Sequence, residues 1–328
     1  MSNNKPLAGL SLDLDNQWSY MKTHGDPGWE TFPSYLDLVV PRILKFLKER
    51  NLVITFFVVG QDAALEKNQS ALKSLAEVGH EIGNHSFHHE PWLHIYSPQQ
   101  IEAEIARAEE SIEKVTGKKP TGFRGPGFVV TQKAIEILIR RGYQYDATTL
   151  PTYIGPLARL YYFMTARLDS EEKNKRGRLF GTLRDGLRPI RPYRFQTEID
   201  GNSRQIIEIP VTTMPIFKIP IHVSYLIYIG SYSRVLAILY FKIAILLCRL
   251  TGIHPSLLLH PLDFLGGDDI KELSFFPAMN LLSKDKLKLV SEVIRIYSNS
   301  FTIVPLRELA RTLSDEESIT TVEPKRYL

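Results

Sequence analysis

The stretch GLSLDLDNQW, Gly9 to Trp18, decides how this chain is read. A short apolar run starting at Leu7 reads as a strand, and it ends on two aspartates, Asp13 and Asp15, with one leucine between them. Side chains alternate along a strand, so both carboxylates point to the same side if the strand persists that far. Two carboxylates a few ångströms apart repel, and without a cation one of them takes up a proton. Something positive is therefore expected beside this strand end.

Outward from that strand, apolar runs and amphipathic segments alternate. Ser34 to Arg50 has helical spacing through Leu36, Val39, Val40, Ile43, Leu44 and Leu47, and Val53 to Val59 is a β-branched and aromatic strand. Gln61 to Val78 reads as a helix, His80 to Asn84 as a strand, Ile101 to Val115 as a helix, and Thr121 to Arg124 as a short extended piece. Gln132 to Arg141 is a helix ended by Gly142, Tyr143 to Asp146 a strand, and Ile206 to Val211, Ser256 to Leu259 and Phe301 to Val304 further strands, with a helix over Ser283 to Tyr297. Such βα alternation predicts an α/β fold with a parallel sheet, most simply a closed or nearly closed barrel.

Two stretches break the rhythm and read as insertions at the rim. Residues 155–195 carry ten Lys or Arg against four acids, a local excess of six in a chain of 328 residues whose net charge is +4. Residues 216–250 are dominated by Ile, Leu, Tyr and Val. The reading is one barrel domain over 1–313 that includes both, followed by a flexible tail over 314–328. Hydrophobic residues at 44% and charged residues at 23% describe a folded globular protein, and the mild positive charge is too small to argue for nucleic acid. The single cysteine, Cys248, excludes an internal disulfide framework and a multi-cysteine zinc site, and reads as a small buried hydrophobe. The polar start MSNNKPLAG leads to the expectation of a cytoplasmic location.

Functional groups of a barrel gather where strands end. Those positions supply Asp13 and Asp15, the cluster NHSFHH at Asn84 to His89, Arg124, Asp146 and His260. His85 and His89 are four apart, a spacing at which two imidazoles on one helical turn share an ion; His88 is a rival for the second position. Two His and one Asp leave coordination positions open, as a catalytic metal site requires. With Asp15 as ligand, Asp13 is free as a general base aimed by Arg124, while His260 is the candidate proton donor and Asp146 the candidate that orients it. Taken singly, each has a plainer reading: a surface histidine pair, a loop-capping Arg124, an N-capping Asp146. Their joint arrival at successive strand ends is what points to a site.

With these residues assembled, the chain resembles the polysaccharide deacetylase family (carbohydrate esterase family four type), over Leu7 to about Leu150 and again from Ile206 to Leu309. LDLD at Asp13 and Asp15 is similar to the family's base-and-ligand motif, HSFHH at His85 to His89 to its two-histidine motif, RGPGF at Arg124 to Phe128 to its Arg-x-Pro loop, and LLH at Leu258 to His260 to its Leu-x-His motif. The resemblance implies a distorted (β/α)7-type barrel and a metal-dependent hydrolase that removes an N-acyl group, acetyl or formyl, from a sugar. Its catalytic residues would be Asp13, His260, Arg124 and Asp146. Its metal ligands would be Asp15, His85 and His89, around one divalent ion: zinc first, though cobalt, nickel, iron or manganese suit the same donors.

The leucine between the aspartates resembles the branch of the lipid-linked aminoarabinose deformylase and the imidase or allantoinase-like members, and EIPVTTMP at Glu208 to Pro215 and HPLDF at His260 to Phe264 resemble the deformylase-like branch, while ATTLP after Asp146 departs from the Trp that the family normally supplies there. Within Tyr232 to Gly252 the only charges are Arg234, Lys242 and Arg249, which fall close together on a helical wheel beside a broad apolar surface. That pattern suits a helix lying in a membrane interface, or else one packed on the barrel with an exposed edge. The basic stretch before it would attract phosphate. The expected partners are therefore an N-acylated sugar, lipid- or phosphate-linked, and an anionic membrane surface. A small cyclic amide as substrate, and a catalytically silent membrane-docked binding protein, are the alternatives.

Overall fold

The computed structural model describes residues 5–155, 183–316 and 319–323. Strand β1 (Leu7–Leu14) is buried along nearly its whole length, as a strand paired on both edges and covered on both faces must be. It pairs in parallel with β2 (Thr55–Val58) on one side and β8 (Ser256–Leu259) on the other. From β2 the parallel ladder continues through β3 (Glu81–Asn84), β4 (Gly122–Phe123), β5 (Tyr145–Asp146) and β7 (Asn202–Glu208). Strand β9 (Thr302–Val304) pairs with the start of β1. The ladder does not close between β7 and β8. The gap is bridged by hydrogen bonds from Thr212 N to Ser256 O, 3.0 Å, and from Ser256 N to Thr212 Oγ1, 2.7 Å. The result is the expected distorted α/β barrel, a mostly parallel sheet left open at one seam.

Helices cover its outside. Helices α1 (Gln17–His24) and α2 (Leu36–Lys48) follow β1, the latter burying Leu36, Val39, Val40, Ile43 and Leu47. The helix expected over Gln61 to Val78 is two, α3 (Gly60–Ala64) and α4 (Glu66–Glu77), because Leu65 between them has extended backbone. Helices α5 (Pro98–Thr116), started by a Ser97 capping box, and α6 (Gln132–Arg140) follow β3 and β4. At the bottom of the barrel, buried Glu81 accepts from Thr55 Oγ1, Tyr145 OH and Arg307 N. This ties the first turn of the last helix, α10 (Leu306–Ser314), to the sheet.

Three expectations about organisation change. Residues 216–250 are not a rim insertion: α7 (Val223–Tyr232) and α8 (Arg234–Leu250) are the crossover that parallel strands β7 and β8 require. One face of α8, with Ala237, Ile238, Phe241, Ile245 and Cys248, joins the main core and packs near α9 (Ser283–Ser300). Of the basic stretch 155–195, residues 156–182 lie outside the described residues, and its end is strand β6 (Tyr193–Ile199). Strand β6 turns at Asp200 and Gly201 into β7 as an antiparallel hairpin. The tail 314–328 is not wholly loose: Thr321 and Val322 form β10 against β6, because Val322 buries its side chain beside Tyr193 and Phe195.

Candidate metal centre and active site

The C-terminal ends of β1, β3 and β4 meet at one point. Asp15 Oδ1 lies 3.4 Å from His85 Nε2 and 3.0 Å from His89 Nε2, and Asp13 Oδ2 lies 4.0 Å from His85 Nε2. Among the described residues, Asp15, His85 and His89 form the one acid-and-histidine group whose potential ligand atoms all fall within 4.8 Å of one another. The rival His88 turns away, its Nδ1 2.5 Å from Glu104 Oε1.

The two histidines converge by a different route from the one expected. Residues 85–89 are a loop, not a helical turn, and Ser86 (φ 61°) and His89 (φ 51°) have left-handed backbone. Three groups impose that path. Asn84 Oδ1 accepts from Ser86 N at 2.8 Å, the Glu104 carboxylate accepts from Phe87 N and His88 N, and Gly60 N and Gln61 N donate to the carbonyls of Ser86 and Phe87. Gly127 (φ 76°) lets the RGPGF loop press against Pro91 just beyond; an added Cβ there would lie 2.7 Å from Pro91 O.

The donor set suits a cation. His85 Nδ1 donates to the Arg124 carbonyl at 2.6 Å, which leaves Nε2 as the lone pair facing Asp15. Asp15 Oδ1 is buried and receives no hydrogen bond, so carboxylate and imidazole lone pairs point at a common centre that only a positive charge reconciles. The electrostatics agree. Burial pushes the Asp15 carboxyl up, but His89 and His85 outweigh it and hold it well below the ordinary carboxylate range. Burial likewise lowers His85, but Asp13 and Asp15 outweigh it and its imidazole sits above its ordinary value.

Arg124 spans the barrel interior from the end of β4. Its fully buried guanidinium donates to Asp13 Oδ1 (2.7 Å) and Ser11 Oγ (2.9 Å) on β1 through Nη1, and to Ala147 O (2.8 Å) through Nε, with the Phe57 ring 4.4 Å away. Asp13 is thereby clamped on one oxygen with the other turned to the metal side, and Ser11 is a partner that sequence reading missed. Its signal was present: Ser11, Asp13 and Asp15 follow the same alternation.

Asp146 is where expectation and structure part. It is fully buried, accepts from Thr148 Oγ1 at 2.5 Å, and pairs with Glu208 across β5 and β7. Burial and then Glu208 push its carboxyl far up, which favours its protonated form; Glu208 accepts from Thr149 N and Oγ1. No hydrogen bond joins Asp146 to His260 among the described residues. Asp146 instead faces Thr148 and, across the strand pair, Glu208. His260 instead has Ser224 Oγ 3.0 Å from its Nδ1, and Asp263 beyond.

A cleft of about 490 Å³ lies on the His88 and Glu104 side of the histidine loop, lined by Trp18, Trp29, Phe32, Tyr96, the Lys22–Glu90 ion pair and Gln61 among others. It reaches the histidine loop through Lys22 Nζ, which donates to His88 O.

Residues 25–145 match the polysaccharide deacetylase family model. The chain is 32% identical over 157 residues to the peptidoglycan deacetylase of Helicobacter pylori, covering 46% of this chain and 52% of that one. It is 35% identical over 105 residues to the peptidoglycan-N-acetylmuramic acid deacetylase of Bacillus subtilis, covering 32% of this chain and 39% of that one. The matches thus span about half or less of these relatives. A solved structure from Mycobacterium smegmatis, described as a polysaccharide deacetylase, superimposes with a TM-score of 0.62 at 20% identity over 98% of this chain and 94% of its own, which establishes the fold. Over residues 25–145 the chain is thus similar to the polysaccharide deacetylase family. The family match contains His85, His89 and Arg124, while the aspartates of β1 and His260 lie outside it.

Proposed function

We propose that this protein is a metal-dependent hydrolase that removes the N-acetyl or N-formyl group from an amino sugar. The observation that carries the reading is the juxtaposition of Asp15, His85 and His89 with a second carboxylate, Asp13, held apart from them by Arg124. Asp15, His85 and His89 would hold a divalent cation, which would supply Lewis acidity toward water and a carbonyl. Arg124 fixes Asp13 so that one oxygen takes the proton from the attacking water, and His260 returns a proton to the leaving nitrogen. The aromatic and polar walls of the cleft beside the histidine loop suit a sugar ring, which stacks its apolar face and hydrogen-bonds its edge. The relatives' names, peptidoglycan deacetylases, support an acylated amino sugar over a small cyclic amide. The test is acyl release by zinc-loaded enzyme from N-acetylglucosamine oligomers and from a cyclic imide. Acetate from the oligomers is expected, and turnover of the imide alone would overturn the reading.

We further propose that the sugar is lipid-linked and met at the cytoplasmic membrane face, with the enzyme docked by the outer face of α8. That face exposes Val235, Leu236, Leu239, Ile243, Leu246 and Leu250, a stripe along a helix about 25 Å long, with Lys242 and Arg249 on its flank. No Asp or Glu occurs from Ile209 to Leu262, which suits an anionic surface. No helix among the described residues is long and apolar enough to cross a membrane, so docking would be peripheral. Co-sedimentation with phosphatidylglycerol vesicles is expected and is lost in Leu239→Glu/Ile243→Glu. Absence of wild-type binding at low salt, or unchanged binding by the variant, would reject it.

A further inference from the structure

We propose that Ser224, on α7, is the positioning residue that sets the tautomer of His260 and holds its ring, with Asp263 behind it. The inference rests on His260 as the proton donor of the proposed reaction. Three contacts carry it. His260 Nδ1 lies 3.0 Å from Ser224 Oγ, Ser224 Oγ lies 2.7 Å from Asp263 Oδ1, and the other Asp263 oxygen accepts the His260 backbone N–H at 2.8 Å.

A hydroxyl has one hydrogen, and a carboxylate accepts only. Facing Asp263, Ser224 therefore spends its hydrogen on the carboxylate and offers its oxygen lone pair to His260, so Nδ1 of that ring carries a hydrogen in both protonation states. The exchangeable proton is confined to Nε2. In the reaction, Nε2–H transfers its proton to the sugar nitrogen as the acyl C–N bond breaks, and the imidazolium becomes neutral imidazole with Nδ1–H still on Ser224. Hydroxide from water ends on the acyl carbon and the other proton on Asp13.

Other groups around His260 leave this assignment to Ser224. His222, at the start of α7 with its ring 6.3 Å away, is held neutral by burial, which lowers it to about 3. Lys286, on α9, donates to Leu262 O and Met279 Sδ, and burial lowers its ammonium to about 8. Asp146, the family-position candidate, is engaged with Thr148 and Glu208. The residue that fixes His260 thus lies 36 positions earlier, on the crossover whose second helix exposes the apolar stripe.

Long-range ¹H–¹⁵N correlation spectra of histidine-labelled protein, with His260 assigned by its loss in His260→Gln, read the tautomer directly. The wild type is expected to show Nδ1–H with bare Nε2 at pH above its titration. Ser224→Ala is expected to shift to the Nε2–H form common in water and to lose its second proton at lower pH, and Ser224→Thr to restore the wild-type spectrum. In turnover, Ser224→Ala lowers kcat about 10-fold with KM held and moves the alkaline limb of the kcat profile to lower pH. An Nε2–H tautomer in the wild type, or an unchanged spectrum in Ser224→Ala, overturns the proposal, and the wild-type spectrum decides even if that variant fails to fold. A wild type that shows the Nδ1–H lock but releases no acyl group fails the proposed function and leaves the lock standing.

Discussion

The two sides of the site are built in opposite ways. On the proposed metal and base side, Asp13, Asp15, His85, His89 and Arg124 come from the ends of β1, β3 and β4 and touch one another directly, charge against charge, in a buried setting. On the proposed acid side, the imidazole of half-buried His260 makes no side-chain contact with a charged group among the described residues; a serine from a largely apolar helix stands between the ring and Asp263. The first arrangement holds charges in place by pairing them. The second holds its ring through a neutral hydroxyl, which leaves the histidine free to change charge at Nε2.

If that contrast is right, substitutions on the first side are severe. His85→Ala is expected to abolish metal binding and activity together, read by metal analysis of purified protein and acyl release; a variant that keeps its ion would remove His85 from the ligand set. Arg124→Met leaves Asp13 buried without its partner and is expected to cost about 3–5 kcal/mol in urea unfolding. Adding Asp13→Asn is expected to recover part of that loss, and a strictly additive double variant would show that the pair is not coupled.

The same contrast explains what could be read from sequence. Strand β1, the histidine cluster and Arg124 stood out because an apolar run ending in carboxylates, and two spaced histidines, are unusual local patterns. Ser224 gave no such signal: one serine in an apolar helix reads as filler until the fold brings β8 beside it. Helix α8 is apolar on its buried and its exposed face alike, so periodicity could not tell packing from display. The β6–β7 hairpin was hidden because Tyr193 and Phe195, whose alternation marks the strand, lie at the edge of a charge-rich stretch. Glu208 was visible in sequence, but its claim on Asp146 depends on strand register.

Smaller effects sharpen the acid side. Asp146→Asn keeps a neutral, hydrogen-bonding side chain beside Thr148 and Glu208, so kcat is expected to fall by less than about 10-fold; a loss as large as that of a general acid, about 10² or more, would return Asp146 to the proton path. The mildest effect concerns Asp62, which accepts from Asn16, Trp18 and Asn68 behind the metal strand. Burial raises it to about 7, so between its unfolded value near 4 and pH 7 the native chain holds a proton that the unfolded chain has released. Stability therefore falls as pH rises through that window. Asp62→Asn is expected to flatten this decline in urea titrations from pH 4 to 8, and an unchanged slope would show that Asp62 ionises normally.

The central claim, that Asp13 is a base distinct from a metal held by Asp15, His85 and His89, is tested most directly by measuring bound metal and acetate release in the same preparations of wild type and Asp13→Asn. One divalent ion per chain in both, with acetate release in the variant lower by about 10³, is the predicted result. Equal turnover in the two proteins, or loss of the ion along with Asp13, would contradict it.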